Sequence, residues 1–496
     1  MKKTVSMLLT LLIIAGSLLS CSESEQKPDL PASDPAASAP TEAVPEAETE
    51  YSRANVPDNL PQLDFNGASV VIHSRGDAEA LTEIYSEELN GEAVNDAIFE
   101  RNVSVEERLN VSIGCFAGDG WENYDNTVSA IRSSIMSADG AYDIVAGWSS
   151  RIPALSLEGL FLDLNEMNYL DPEQNWWSAS AIRELQVGNR LYFVTGDIAR
   201  SMLSSLCVYV FNQKVAEDNH VENLYDVVKE HRWTIDHVYD LSSRIYKDLN
   251  GNGQADKSDF WGLVTSCIND ADAYMQGSLV SMMSRDEEGW PVLSVDEEQL
   301  ADLVSKVYRL DWDNPGCFAN PDGETDIRNT IAEDKALLAS TRLTAVVGSL
   351  GDMESDYGVL PYPMLNEAQE SYGTRVQDAL SLWCIPIDAK DPDLSAAVME
   401  ALAAESWRKV TPAYFDVALK SRYSRDPETS AMMDLIKDSV LINFESLYNR
   451  AIGQPWFVLR NLMPQKDKNF SSYWASNKKL LAKNVDKAIK KLTELD

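Results

Sequence analysis

The chain is poor in the residues that several functional classes need. It has 6 Cys and 4 His among 496 residues. So few cysteines cannot build a disulfide scaffold, and so few histidines leave little material for a multi-His metal centre or His-based catalysis. Basic charge is also scarce: 42 Lys+Arg stand against 79 Asp+Glu, for a net charge of −37. That balance excludes a protein that neutralises nucleic-acid phosphates and opposes docking on anionic lipid headgroups. No G-x-S-x-G, H-E-x-x-H or G-x-x-x-x-G-K-[ST] occurs. Acidic pairs such as Glu87-Glu88 and Glu106-Glu107 are solvated faces in so acidic a chain, not a glycosidase dyad.

What is present begins with a targeting signal at residues 1–20. Lys2 and Lys3 precede an apolar run, Met7 to Leu19, too short to span a bilayer. It ends in Leu18-Leu19-Ser20-Cys21, which resembles a bacterial lipobox with Cys21 as the lipidated residue. The lipid would be the membrane attachment, on the outer face of the cytoplasmic membrane or, in a Gram-negative cell, facing the periplasm. Residues 21–61 are rich in Ser, Glu, Pro and Ala, with few large apolar side chains. Such a segment cannot offset its chain entropy, so it reads as a disordered acidic tether. The five remaining cysteines, Cys115, Cys207, Cys267, Cys317 and Cys384, have no metal-site spacing, and their odd number leaves at least one thiol unpaired.

The body, at 44% hydrophobic residues overall, has ample core material. Its pattern alternates. Ala68–Ile72 predicts a strand, and Glu92–Leu109 a helix with Val94, Ile98, Val105 and Leu109 on one face. Val111–Ile113 predicts a second strand, Tyr124–Met136 a helix, and Tyr142–Ala146 a third strand. Strands alternating with helices of this length imply a mainly parallel sheet, with ligands bound beyond the carboxyl ends of its strands. Gly147-Trp148-Ser149-Ser150 lies at such an end.

A sharper local motif is Asp248-x-Asn250-x-Asn252-Gly253-Gln254-x-Asp256-x-x-Asp259. It has the oxygen rhythm of an EF-hand loop, with Gln254 offering its carbonyl and Asp in place of Glu at the last position. The alternatives are one structural calcium ion or a turn held by its own hydrogen bonds.

Several segments resemble extracellular solute-binding proteins of carbohydrate-type ABC importers (family 1). YDIVAGWSSRIPALSLEGLFLDLNEM (142–167) is similar to the strand and binding loop of that family. LYFVTGDIARSMLSSLCVYVFNQKVAED (191–218) is similar to its first lobe crossing, and EHRWTIDHVYDLSSRIYKD (230–248) to its helix start, with Thr234 as cap. ALLASTRLTAVVGSLGDMESDYGVLPYPM (336–364) and DALSLWCIPIDAKDPDLSAAVMEALAAES (378–406) resemble its return and closing strands. AYFDVALKSRYSRDPETSAMMDLIKDS (413–439) resembles the tail of carbohydrate-type lipoproteins.

The resemblance implies an α/β, two-lobe periplasmic-binding-protein-like fold (type II) with discontinuous lobes joined by hinge strands. Lobe one would take 62–196 plus 341–386, and lobe two 197–340 plus 387–496. It further implies a monomer without enzymatic activity that captures a carbohydrate and passes it to ABC permease subunits. A surface glycan-adhesion role, a glycoside hydrolase and peptide capture are the alternatives. Sugars are met by aromatic platforms and by side chains that pair with adjacent hydroxyls. The candidates are Trp148, Ser149, Asp197, Arg200, Arg342, Asp378 and Trp383. Either Arg375 or a ligand would satisfy Asp378. Trp261 and Tyr274 are possible walls of the second lobe, while Trp121, Trp176 and Trp177 are weaker candidates for which packing is the favoured reading.

Overall fold

A computed structural model describes residues 53–320, 323–424 and 426–495. The signal segment, Cys21 and most of the tether lie outside the described residues. The tether's final stretch does not behave as a free spacer. Arg53–Asn55 forms a helical turn, and the Val56 carbonyl accepts two hydrogen bonds from Arg408. Asp58 pairs with Arg108 at 2.6 Å and with Arg408 at 3.2 Å. Burial alone would raise the Asp58 pKa, but the hydrogen bonds and charges of Arg108 and Arg408 hold it below the usual carboxylate value. Composition hid this because one buried carboxylate anchors a segment that is otherwise polar.

The predicted alternation is present. Strand Ala68–Ser74 pairs in parallel with Val111–Ala117 on one side and Ile144–Trp148 on the other. Helix Ala93–Leu109 connects the first pair, its start capped by the Glu92 carboxylate on the Val94 and Asn95 amides. Its buried face (Ile98, Val105, Leu109) follows the helical period read from sequence. Helix Tyr124–Ser137 makes the second crossover and buries Ile131 and Ile135. Strand Ser381–Cys384 closes this four-stranded sheet antiparallel to Ile144–Trp148.

A second, six-stranded sheet forms the other lobe. Its main path runs Tyr357–Leu360, Cys207–Asn212, Ala336–Arg342, Phe260–Thr265 and Tyr246–Lys247, with Cys317–Ala319 beside Phe260–Thr265. Every residue of Cys207–Asn212 is buried, as befits a central strand covered on both faces. This pairing moves one boundary. The sequence places lobe one's second part from residue 341, but Tyr357–Leu360 pairs with Cys207–Asn212. The chain therefore returns to the first sheet only after Leu360. The cue at Arg342 was a strand end followed by the short helix Thr344–Val347, which leads back into the same sheet.

The carboxyl-terminal part serves both lobes. Helix Pro392–Glu405 continues through wide π-type turns to Tyr423, and Val410 packs on Ala97 and Ile98 of the first lobe. Helix Pro427–Asp438 belongs with the second, where Tyr225 donates to Asp426 at 2.9 Å. The final helix, Phe470–Thr493, is followed by Leu495, whose carbonyl accepts from Arg190 of the first lobe. Assigning 387–496 wholly to lobe two thus omits its contacts with lobe one. Among the described residues, Cys115, Cys207, Cys267, Cys317 and Cys384 form no disulfide. Among the described residues no helix is long and apolar enough to cross a membrane.

Candidate binding cleft

The carboxyl ends of strands from both sheets meet at one cavity of about 360 Å³, within the range of small-ligand sites. From the first lobe come Arg75 and Asp77, just past Ala68–Ser74, Glu79 in the helix that follows, and Trp148 at the end of its strand. Trp121 joins them from the loop after Val111–Ala117. The second lobe supplies Arg342, the last residue of its strand, with Asn269 and Thr325. Gln377 and Ala379, on the segment returning between the sheets, complete the lining.

The aromatic wall has two layers. Trp121 is 55% exposed, whereas Trp148 beneath it is 3% exposed. Their ring centroids are 6.2 Å apart at 78°, and Tyr124 meets Trp148 edge-on at 5.8 Å. Arg75 lies over the Trp148 ring at 5.2 Å, and Arg151 over Tyr124 at 3.5 Å. Edge-to-face packing fixes the orientation of both indoles. The exposed platform is therefore Trp121, for which the sequence favours packing, and Trp148 is its support.

Two tight loops bring these residues together. A Cβ on Gly76 would lie 2.3 Å from the Gly118 carbonyl oxygen, so glycine is needed for this close approach. Asp77 then accepts from the Trp121 amide at 3.0 Å, locking the Trp121 loop to the end of the first strand. Glu79 accepts from the Ser204 hydroxyl at 2.7 Å. Arg75 donates to the Ala379 carbonyl at 2.7 Å, while its Nε is buried without an acceptor.

The other sequence candidates lie elsewhere. Ser149 is buried and donates to the Asp378 carbonyl. Asp378 is satisfied by Arg375 at 2.5 Å and by Arg460 at 3.6 Å, so no ligand is needed to neutralise it. Asp197 lines a separate cavity of about 410 Å³ with Trp177, Trp407 and Lys437. Desolvation raises its pKa to about 6, against the Thr411 hydroxyl donated to it and the charges of Arg53 and Lys437. Arg200 turns to the Glu79 carbonyl and the Thr82 hydroxyl. Trp383 is fully buried on the closing strand, Trp261 and Tyr274 are core residues, and Trp176 and Trp177 both donate to Glu400. Of the seven candidates, Trp148 and Arg342 line the cleft cavity. Sequence reasoning missed Arg75, Asp77, Glu79 and Asn269. They follow the carboxyl ends of Ala68–Ser74 and Phe260–Thr265, just as Trp148 stands at the end of the third strand, and that position is the signal that points to them.

The loop of residues 248–259 closes on itself. Asp248 accepts from the Gly251 and Gly253 amides, Asn250 from Asn252, and Asn252 from Gln254. Asp259 accepts from Leu249, Asp256 and the Tyr246 hydroxyl, while Asp256 accepts from the Asn250 and Asn252 side chains. Among the described residues no group of three or more His, Cys, Asp or Glu is placed to hold a metal ion.

No protein-family model matches the chain, and no curated protein matches it. Solved structures do. A cyclo/maltodextrin-binding protein complexed with maltotetraose aligns over 86% of this chain and 97% of its own at 10% identity, TM-score 0.53. The GacH receptor of Streptomyces glaucescens GLA.O, solved unliganded and with acarbose, aligns over 86% and 98% at 13% identity, TM-score 0.54. This chain has the type II two-lobe binding-protein fold. An ABC transporter solute-binding protein from Thermotoga lettingae, bound with α-D-tagatose, aligns over 85% and 100% at 13% identity, TM-score 0.53. In this fold the lobes are joined by a hinge. Here the inter-lobe segments run between Gly196 and Cys207 and between Leu360 and Ser381, with the Trp148 cavity where the two sheets face each other.

Proposed function

We propose that this protein captures a saccharide between its lobes, without turnover, and presents the closed form to an ABC importer permease. One observation carries the reading: a half-exposed Trp121 stands over a cavity whose polar groups come from the strand ends of both lobes. An apolar sugar face stacks on an indole, and ring hydroxyls pair with carboxylate, guanidinium and amide groups. Ligand touching both lobes stabilises the closed arrangement by its differential contacts, which is what closure requires. The two-lobe relatives named above, described as binding proteins or receptors, support this reading. The Cys21 lipobox supports anchoring outside the membrane beside a permease.

The test is thermal unfolding and calorimetry of the purified protein against mono- and oligosaccharides, short peptides and polyamines, with the ligand recovered afterwards. A saccharide at about 100 times its Kd adds about 2.7 kcal/mol and raises the melting temperature by several degrees. The sugar should come back intact. Stabilisation by peptides alone, or cleavage of the sugar, would sink the reading.

The calcium expectation for residues 248–259 has a separate test. Asp248→Ala removes the acceptor for two backbone amides and should lower the melting temperature with or without calcium. If the loop holds calcium, the loss is larger in calcium than in chelator. An equal loss in both assigns the loop to hydrogen bonding alone.

A further inference from the structure

The outer face of the last helix has the opposite charge to the molecule as a whole. The chain carries a net charge of −37, yet Arg450 to Thr493 holds ten basic residues and two acidic ones. Helix Phe470–Thr493 has six of those lysines and one acid, Asp486. It buries Trp474, Leu481, Val485, Ala488 and Leu492 along one stripe. At about 3.6 residues per turn, Lys479, Lys483, Lys487, Lys490 and Lys491 project from the opposite side, and all five are exposed. Lys490 pairs with Glu494 one turn on, and Lys478, at the flank, pairs with Glu297. Among the described residues Lys479, Lys483, Lys487 and Lys491 have no carboxylate within ion-pair distance.

Two neighbours extend this face. Leu480, 58% exposed, stands among the lysines. Arg450 shares a cavity of about 260 Å³ with Asn484, Lys487 and Lys491, so the adjoining loop adds a cation on the same side. That loop seats closely: a Cβ on Gly453, at φ +87°, would lie 2.3 Å from Asn484 Nδ2. None of these residues lines the cavity under Trp121. The acidity of the rest of the chain does not cancel the patch. Exposed charges more than about 8 Å apart are largely screened at physiological ionic strength, so an approaching surface responds to the nearest face.

We propose that the lysine face of helix Phe470–Thr493, with Arg450, docks on an anionic phospholipid bilayer and sets which side of the body faces the membrane. The partner follows from the anchor that the Leu18–Cys21 motif implies. A lipid on Cys21 leaves roughly 30 residues before Arg53, a link of at most about 110 Å. The body is then held beside lipid headgroups, where each basic residue close to an anionic surface strengthens binding about fivefold. A helix with lysines on its outer face and a leucine among them is suited to lie along such a surface. The charge count of the whole chain opposes this docking, and the distribution of the charge permits it. The proposal is independent of the solute that the cleft takes.

The experiment is cosedimentation of the chain from residue 21 to 496, carrying Cys21→Ser so that no lipid is attached, with two kinds of vesicle. One is phosphatidylglycerol mixed with phosphatidylcholine, the other phosphatidylcholine alone. The described fold lies within residues 53–495, so this chain keeps all of it. Binding to the anionic vesicles should be at least about tenfold stronger than to the neutral ones. Raising the salt from about 0.1 M to about 1 M, which shortens the screening length from about 10 Å to about 3 Å, should release the protein. Lys483→Gln combined with Lys487→Gln should weaken the anionic binding at least about tenfold and leave the melting temperature unchanged, since both side chains are exposed. Lys247→Gln, at an exposed position of the second sheet, should leave the binding as it was. Equal binding to both vesicles, or anionic binding that the double substitution does not weaken, overturns the proposal. Absence of binding overturns it too; if binding then appears on changing Glu42, Glu46, Glu48 and Glu50 to Gln, the acidic tether covers the face instead.

Discussion

Replacing Trp148 with alanine should cost about 3–5 kcal/mol of stability, the range for emptying a buried large aromatic position. Replacing Trp121 with alanine should leave the melting temperature nearly unchanged and weaken saccharide binding by more than about 1 kcal/mol. The contrast follows from exposure: 3% for Trp148 and 55% for Trp121. Trp148 is held between Trp121 and Tyr124 edges and the Arg75 guanidinium, so its removal loosens the platform and the cation together. Melting curves and calorimetry on both variants check this. Unchanged affinity in Trp121→Ala would remove that indole from the site. Unchanged stability in Trp148→Ala would contradict its place as the buried support.

Arg375→Met should be the most damaging single change at the hinge. Arg375 is 2% exposed and lies on the returning segment. It pairs with Asp378 at 2.5 Å and Asp272 at 3.5 Å, and Arg460 pairs with both carboxylates. This network ties the second lobe, through Asp272, to the segment entering Ser381–Cys384. Removing one partner of a buried ion pair typically costs about 3–5 kcal/mol, because the remaining charge stays buried.

The pH dependence gives a second readout. Burial alone would raise the Asp378 pKa, but Arg375 and Arg460, with Arg450 and Arg151, hold it below the usual carboxylate value. A depressed carboxylate contributes stability above its unfolded pKa, and that contribution is lost as pH falls through the folded value. In the variant, burial without Arg375 favours the protonated acid. The folded pKa then lies above the unfolded one, and stability is lost as pH rises through that window. Lowering the pH from 7 to 5 should therefore narrow the gap between variant and parent, on top of the gain that raised carboxylates such as Asp197 and Asp272 give to both. Urea unfolding at the two pH values measures it, and a pH-independent difference would refute the account. Asp272 moves the same way, its pKa already raised by burial against Arg460 and Arg375.

The sequence by itself determined the local elements and the fold class. The period of Val94, Ile98, Val105 and Leu109 is satisfied by one helix geometry only, and Thr234 caps its helix through the His237 amide as its position implies. β-branched runs between such helices leave a parallel sheet as the way to bury both faces. These are short-range constraints, carried by neighbours along the chain.

Tertiary structure decided the lobe boundaries and the makeup of the cleft. Strand Tyr357–Leu360 has the same composition whichever sheet it joins, and pairing across a long sequence gap assigns it to the second. Trp121 and Trp148 are chemically alike, and only packing makes one the exposed face and the other its support. The meeting of Arg75 and Arg342 spans more than half the chain and depends on two sheets facing each other at their carboxyl ends. Burial and charge juxtaposition are properties of that arrangement, so the candidate site emerged where the two lobes meet rather than within one motif.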